Sequence, residues 1–144
     1  SAAVTGAKSI DKSDRKAITY SGKWEHSTGA DGASVSSSDA KDASFSVKFN
    51  GTQIGFHGLA QKSNGYAFVN LVDSRGKTVL SSVVDMYCSY PVSTLKFLSP
   101  VLAKDTYTLK VTVMRERGNW SDKRKIEYGS KGFYVTLDKV VINE

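Results

Sequence analysis

The side chains best suited to binding chemistry are concentrated in residues 114–132, MRERGNWSDKRKIEYGSKG. Six basic residues stand against three acidic ones in this segment, and an indole, Trp120, lies among polar neighbours. An indole can stack on the apolar C–H face of a sugar ring, and guanidinium and amide groups donate directed hydrogen bonds to hydroxyl or carboxylate oxygens. The segment therefore predicts a ligand site that uses Arg115, Arg117, Asn119, Trp120 and Lys123. The alternative is that the Trp120 ring packs onto the protein itself.

The sequence lacks the patterns of a catalytic centre. A hydrolase needs a paired acid and base or an activated nucleophile. The carboxylates are scattered over turns, and only Asp85 and Asp138 fall inside predicted strands. No serine occupies a nucleophile elbow, and no glycine-rich phosphate loop precedes a helix. We therefore predict that the protein is not an enzyme.

Metal-ligand spacing is likewise missing. The two histidines, His26 and His57, are far apart in sequence, and the single cysteine, Cys88, excludes an internal disulfide and a thiol cluster. We therefore expect no cofactor. A structural calcium ion stays compatible with the sequence, because irregular calcium sites leave little trace in it.

Alternating apolar residues predict the elements that position these side chains. In residues 44–58 the alternation runs on both sides of Asn50-Gly51, which predicts a β-hairpin whose two turn residues take positive φ. Further strands are predicted over 17–24, 34–38, 66–72, 78–86, 94–98, 107–113 and 134–142, with a turn at 73–76 and a bulge near 138–139. No stretch has helical periodicity. The predicted fold is an all-β antiparallel sandwich or jelly roll with almost no helix.

In such a sandwich each strand crosses the domain, so successive connections alternate between its two ends. Counting from Asn50-Gly51 places four loops at one end, over residues 39–42, 59–65, 87–93 and 114–132. We expect His57, Tyr87 and Tyr90 at or near this end, with His57 at the floor of the site and a tyrosine stacking on the ligand. A core position for Tyr87 and a structural role for His57 are the alternatives. The same count places Trp24 at the opposite end.

Length and composition indicate one globular domain. The 144 residues suffice for a two-sheet core, and the net charge of +6 weakly favours anionic partners. No apolar run is long enough to cross a bilayer, so no membrane partner is expected. Residues 1–15 have the polar composition of a linker or edge segment, which leaves 16–144 as the domain. The start of the sequence lacks the apolar segment of a signal peptide, which fits a cytosolic chain or a module trimmed from a secreted protein, and we favour the module.

Six segments, in order along nearly the whole chain after Ser13, carry a family likeness: ITYSGKW, DASFSVKFNGTQIGFHG, GYAFVNLVDSRGKTV, VVDMY, LAKDTYTLKVTV and YVTLDKVVI. Together they resemble a galactose-binding-domain-like carbohydrate-binding module, of the kind appended to glycoside hydrolases, polysaccharide lyases and sugar esterases. The resemblance implies a jelly-roll sandwich, non-catalytic polysaccharide binding and a covalently attached catalytic domain. It also implies a monomer that is secreted or held at the cell surface.

Two points refine what the resemblance implies. The segment 114–132 is long and unusually basic compared with the family pattern, and its six basic and three acidic residues favour an acidic glycan, uronate or sulfated, over a neutral one. Tyr20 and Trp24 match the family pattern and are expected to belong to the fold rather than to the site.

Three other functions compete with polysaccharide binding. An interaction module without a sugar ligand would expose a contiguous apolar patch. A small jelly-roll lyase or hydrolase would release product from an acidic polysaccharide. Nucleic-acid binding is disfavoured, because aromatic residues spaced along one sheet face, as in single-strand readers, are not evident.

Overall fold

This computed structural model describes residues 8–27, 35–121 and 127–144, with residues 119–121, 127 and 128 described by their backbone. Within these ranges the chain forms β-strands and no helix. In chain order the strands are β1 (Lys8–Asp11), β2 (Ile18–Ser21), β3 (Glu25–His26), β4 (Ser36–Ser38), β5 (Ser44–Gly51), β6 (Gln53–Ala60), β7 (Tyr66–Val72), β8 (Thr78–Asp85), β9 (Val92–Leu98), β10 (Asp105–Val113), β11 (Asn119–Ser121), β12 (Glu127–Gly129), β13 (Val135–Leu137) and β14 (Lys139–Asn143).

Two antiparallel sheets form the sandwich. One has the strand order β1-β14-β6-β9 and the other β2-β5-β10-β7-β8. A small sheet, β13-β4-β3, which we call the lateral sheet, adds to them, and β11 pairs with β12 in a short ribbon. The predicted all-β antiparallel sandwich is confirmed. No helix in the described residues is long and apolar enough to cross a membrane.

The core lies between the two sheets and follows the alternation in the sequence. Tyr107, Leu109, Val111 and Val113 of β10 are all buried, as predicted. Rings from opposite sheets meet edge to face, because Phe45 of β5 and Phe56 of β6 have centroids 5.5 Å apart. Each such buried side chain contributes about 1.5–3 kcal/mol through its removal from water.

The predicted β-hairpin at Asn50-Gly51 is wrong. β5 pairs with β2 and β10, whereas β6 pairs with β14 and β9, so the connection passes from one sheet to the other. Neither Asn50 nor Gly51 has positive φ. Gly51 is needed for space instead, since a Cβ there would lie 2.4 Å from the Asn143 carbonyl oxygen. Alternation shows that each strand buries one face, but it cannot show whether two strands share a sheet.

The predicted turn at 73–76 is confirmed, and it closes a true hairpin between β7 and β8. Gly76 has a φ of +80°, and the Asp73 carboxylate accepts hydrogen bonds from the backbone N–H groups of Arg75 and Lys77. The bulge predicted near 138–139 is instead a change of sheet. The chain leaves the lateral sheet after Leu137 and enters the four-stranded sheet at Lys139.

The sandwich has two ends. We call the end with residues 39–42, 61–65, 86–91, 114–118 and 130–134 the loop pole, and the end with residues 52, 73–77 and 99–104 the turn pole. Trp24 lies towards the loop pole, since Ser21 pairs with Ser44, so the prediction that it lies at the opposite end is wrong. The count failed because the strand at 36–38 belongs to the lateral sheet and does not cross the sandwich. Trp24 does belong to the fold, since its ring packs against Phe45 at 6.0 Å.

Candidate ligand-binding site at the loop pole

The loops of this pole are joined by hydrogen bonds around two buried polar side chains. Asn64 donates from Nδ2 to the carbonyl oxygens of Leu59 (2.7 Å) and Met86 (3.1 Å). The Ser130 hydroxyl contacts the carbonyl oxygens of Asn64 and Gly132. The backbone N–H of Ser130 donates to the Gly118 carbonyl oxygen at 2.9 Å. Loops from four different strand connections are thereby fixed to one another. Such a frame holds surface side chains in place before a ligand arrives.

Two arginines and a phenylalanine form the first part of the site, which we call the arginine cluster (Arg115, Arg117 and Phe133). The guanidinium carbons of Arg115 and Arg117 lie 4.6 and 5.1 Å from the centroid of the Phe133 ring. Both distances fall within the range of a cation–π interaction. The Phe133 ring therefore contacts two flexible cationic side chains.

Arg115 is further fixed by its backbone and by Asp39. Its φ of +55° lies in the left-handed region, which non-glycine residues rarely adopt. Its Nη1 donates to the Asp39 carbonyl oxygen at 2.8 Å and lies 3.6 Å from the Asp39 carboxylate. Strained backbone of this kind persists where the surrounding structure over-determines it, and it is concentrated at functional sites.

A polar cleft of about 200 Å³ adjoins the arginine cluster through Asp39 and Tyr134. Its walls carry carboxylates, hydroxyls and one ammonium, from Lys23, Glu25, Ser37, Ser38, Asp39 and Tyr134. The nearby carboxylate of Asp39, then burial and Glu25, raise the pKa of the Tyr134 hydroxyl. This hydroxyl therefore stays protonated at neutral pH and can donate. A wall that offers both donors and acceptors suits a ligand rich in hydroxyl groups.

The structure brings four of the predicted site residues to this pole. Arg115 and Arg117 are in the arginine cluster, while Tyr87 and Tyr90 lie on the loop 86–91. Tyr87 is half-buried and forms a backbone bridge with Gln61, and Tyr90 is 64% exposed. The loop 61–65 separates the tyrosines from the arginine cluster, since its other side bonds to residues 131 and 134.

His57 is not part of the loop pole, so its predicted place at the floor of the site is wrong. It lies inside β6, paired with Lys139 on one side and Leu95 on the other, because β6 continues past it to Ala60. Burial, then the Lys139 ammonium, lower the pKa of His57. A neutral, half-buried histidine within a sheet fits the structural role that the sequence left open.

The remaining predicted residues follow Gly118. Asn119 and Trp120 lie in β11, where Trp120 pairs with Tyr128 of β12. The bond from Ser130 to Gly118 anchors this ribbon at the loop pole. The roles of the Asn119 and Trp120 side chains stay predictions, and Lys123 lies outside the described residues.

Sequence reasoning missed three residues of the site: Phe133, Tyr134 and Asp39. Phe133 and Tyr134 follow Gly132 directly, and a pair of aromatics at the end of a polar loop was the available signal. The sequence instead predicts Tyr134 as the first residue of the last strand, whereas β13 begins at Val135. Asp39 gave no signal, because its role depends on contact with Arg115, 76 residues away in sequence.

Comparison with known proteins shows what this fold is. No protein-family model matches the chain, and no curated protein does. Among solved structures it is similar to a family two carbohydrate esterase from Cellvibrio japonicus, with a TM-score of 0.60 and 12% identity over 94% of this chain. The match covers 33% of the esterase, so this chain spans about a third of that protein.

Two similar structures are carbohydrate-binding modules over almost their full length. One is a CBM36 module in complex with calcium and xylotriose (TM-score 0.51, 15% identity, 92% of this chain and 97% of that chain). The other is the CBM36-1 domain of a multidomain xylanase from the hindgut metagenome of Trinervitermes trinervoides (TM-score 0.54, 14% identity, 96% and 97%). The predicted likeness to a galactose-binding-domain-like carbohydrate-binding module is thus confirmed at the level of the fold. The protein has the β-sandwich of that class.

One of these modules is in complex with calcium, whereas the described residues of this chain offer no set of side chains suited to that ion. Calcium prefers six to eight oxygen ligands, several from carboxylates. In the described residues no three His, Cys, Asp or Glu side chains come together. The two carboxylates of Asp11 and Asp138 share the Lys12 ammonium, at 3.4 and 3.7 Å. A lysine already supplies the positive charge between them, so these residues do not fit a calcium ion.

Proposed function

We propose that this protein is a non-catalytic module that binds a polysaccharide at the loop pole. The observation that carries the proposal is the arginine cluster beside the cleft of Asp39 and Tyr134. The cluster offers guanidinium donors in fixed positions, and the cleft offers hydroxyl and carboxylate groups that pair with sugar hydroxyls. The shared fold of the two carbohydrate-binding modules supports this function.

The ligand we propose is an acidic polysaccharide, uronate or sulfated. Guanidinium groups bind carboxylate and sulfate oxygens through two parallel hydrogen bonds, which neutral sugars cannot match in charge. Arg117 makes no ion pair within the described residues, so its charge is available to a ligand. We expect weak affinity per site, because a shallow surface buries little of the sugar.

The biological role we propose is to keep an attached carbohydrate-active enzyme near its substrate. Linkage raises the effective concentration of substrate without any new contact. Secretion or a cell-surface location and a monomeric state belong to the same proposal.

Affinity electrophoresis against a polysaccharide panel tests the proposal. Gels contain polygalacturonate, alginate or a sulfated glycan, with neutral xylan and glucan as comparisons. We expect retardation by an acidic polymer and loss of that retardation in Arg117→Gln. Arg75→Gln is the matched control, because Arg75 loses the same charge at the turn pole, where it is 85% exposed. Equal retardation of both variants would reject the site, and release of sugar product would reject the non-catalytic role.

A further inference from the structure

A larger cleft lies outside the loop pole, at the edge of the sandwich between the chain joining β1 to β2 and the lateral sheet. Its volume is about 390 Å³, within the range of ~300–1,000 Å³ for small-molecule sites. Arg15, Lys12 and Asp11 line one side of this edge cleft, and His26 and Ser36 line the other. Proposed binding at the loop pole uses none of these residues.

A chain of hydrogen bonds favours the tautomer of His26 that carries its proton on Nδ1. The Lys12 carbonyl can only accept, so the Tyr20 hydroxyl donates its single hydrogen there, at 2.7 Å. Tyr20 Oη must then accept from the Ser36 hydroxyl, 3.1 Å away. Ser36 has used its own hydrogen, so it accepts from His26 Nδ1, at 2.7 Å. All three contacts are satisfied when Nδ1 is protonated.

This direction leaves Nε2 of His26 as an acceptor when the ring is neutral. Burial, then the Arg15 guanidinium, lower the pKa of His26, which favours the neutral ring at pH 7. When Nδ1 donates to Ser36, Nε2 keeps its lone pair. The His26 ring lines the edge cleft. Nε2 can accept a hydrogen bond from a ligand hydroxyl.

Arg15 supplies the complementary donors. Its guanidinium carbon lies 4.8 Å above the centroid of the Tyr20 ring. Lys12 is compensated by Asp11 and Asp138, but Arg15 has neither an ion pair nor a hydrogen bond among the described residues. Its five N–H groups are therefore available, and a planar fork of this kind matches a carboxylate.

Among the described residues at the edge cleft, the Tyr20 ring is covered and not open for stacking. Arg15 lies over the Tyr20 ring, His26 meets that ring edge-on at 4.8 Å, and Trp24 packs on it at 5.2 Å. Recognition here must depend on hydrogen bonds and charge. A carboxylate for Arg15 and a hydroxyl for His26 are the groups of a hydroxy acid, and among hydroxy acids a sugar acid fits the proposed polysaccharide ligand.

We propose that the edge cleft is a second saccharide site that binds one uronate unit, with its carboxylate on Arg15 and a hydroxyl donating to Nε2 of His26. The proposal rests on the proposed function for its ligand class only. It involves different residues from the loop pole, so either site can fail while the other stands.

Solution NMR of the full ¹⁵N-labelled chain at pH 7 tests this site with D-glucuronate, D-glucose and acetate. The His26 ring nitrogens should show the tautomer protonated at Nδ1. Glucuronate should shift the Arg15 and His26 side-chain signals in a saturable manner, and glucose and acetate should shift them at least about tenfold more weakly. Protonation at Nε2, or equal effects of acetate and glucuronate, would overturn the proposal.

Variants separate the two groups and the two sites. Arg15→Gln should weaken glucuronate binding about tenfold, the usual scale for loss of one charge-assisted hydrogen bond. His26→Gln keeps an acceptor near the position of Nε2 and should bind better than His26→Asn, which keeps only the donor to Ser36. Arg75→Gln and Arg117→Gln should leave glucuronate shifts at this cleft unchanged. Loss of those shifts in Arg117→Gln, or equal binding by Arg15→Gln and wild type, would refute the edge site.

Discussion

Replacing Phe133 with leucine should weaken polysaccharide binding although Phe133 need not touch the ligand. Its ring holds Arg115 and Arg117 at 4.6 and 5.1 Å, and each exposed cation–π contact is worth about 0.5–1 kcal/mol. Leucine keeps apolar bulk but removes the ring contact of both arginines. Arg115 keeps its contacts to Asp39, whereas Arg117 must then be ordered when the ligand binds. The combined loss is about 1–2 kcal/mol, or roughly a 5- to 30-fold rise in Kd.

Isothermal titration with an acidic oligosaccharide measures this change, and a urea melt of each variant separates it from a loss of stability. Phe133→Tyr is the matched control, because it keeps the ring and should bind within about twofold of wild type. If Phe133→Leu bound as tightly as wild type while Arg117→Gln lost binding, the ring would have no part in positioning the arginines. An equal loss in Phe133→Tyr would also contradict the reasoning.

Three further predictions concern stability. Phe56→Ala should lower the free energy of unfolding, measured in urea, by about 3–5 kcal/mol, because Phe56 is fully buried. Phe68 is 38% exposed, so Phe68→Ala should lower it far less. Similar losses in the two variants would contradict the core assignment. Gly51→Ala should lower the melting temperature more than Gly76→Ala, because a Cβ at Gly51 lies 2.4 Å from a backbone oxygen, whereas Gly76→Ala meets no atom and costs only the strain of its φ of +80°. A melting temperature of Gly51→Ala equal to that of wild type would show that space at Gly51 is not limiting. The pKa values of His26 and His57 are both lowered from about 6.5, so the unfolded chain binds more protons below that pH. The contribution of these two histidines to the free energy of unfolding should be fully present above pH 6.5 and should fall as the pH drops below that value. His26→Gln should reduce this fall. A urea midpoint that is constant from pH 7 to 5 would contradict both pKa shifts.

The strands could be predicted from local patterns, but their partners could not. The alternation of Tyr107, Leu109, Val111 and Val113 reflects burial of one face, which is a local property. Whether β5 and β6 share a sheet depends on pairing with β10 and β14, which are distant in sequence. The wrong hairpin and the wrong position of Trp24 both come from this missing information.

The candidate site was predictable where charge and loop placement decide it, as for Arg115 and Arg117. Phe133 and Asp39 were missed because their roles come from contacts across the loop pole. The edge cleft was missed for the same reason, since Tyr20, Ser36 and His26 come from three different strands. His57 was misplaced because the sequence pattern does not show that β6 continues past it to Ala60.

The most direct test of acidic polysaccharide binding at the loop pole is an NMR titration with an acidic oligosaccharide, such as a short oligogalacturonate, that follows the backbone amides. We predict saturable shift changes at Arg115, Arg117, Phe133, Tyr134 and Asp39, which a neutral xylo-oligosaccharide does not reproduce. Changes confined to the turn pole or to the edge cleft, or no change at all, would contradict the proposal.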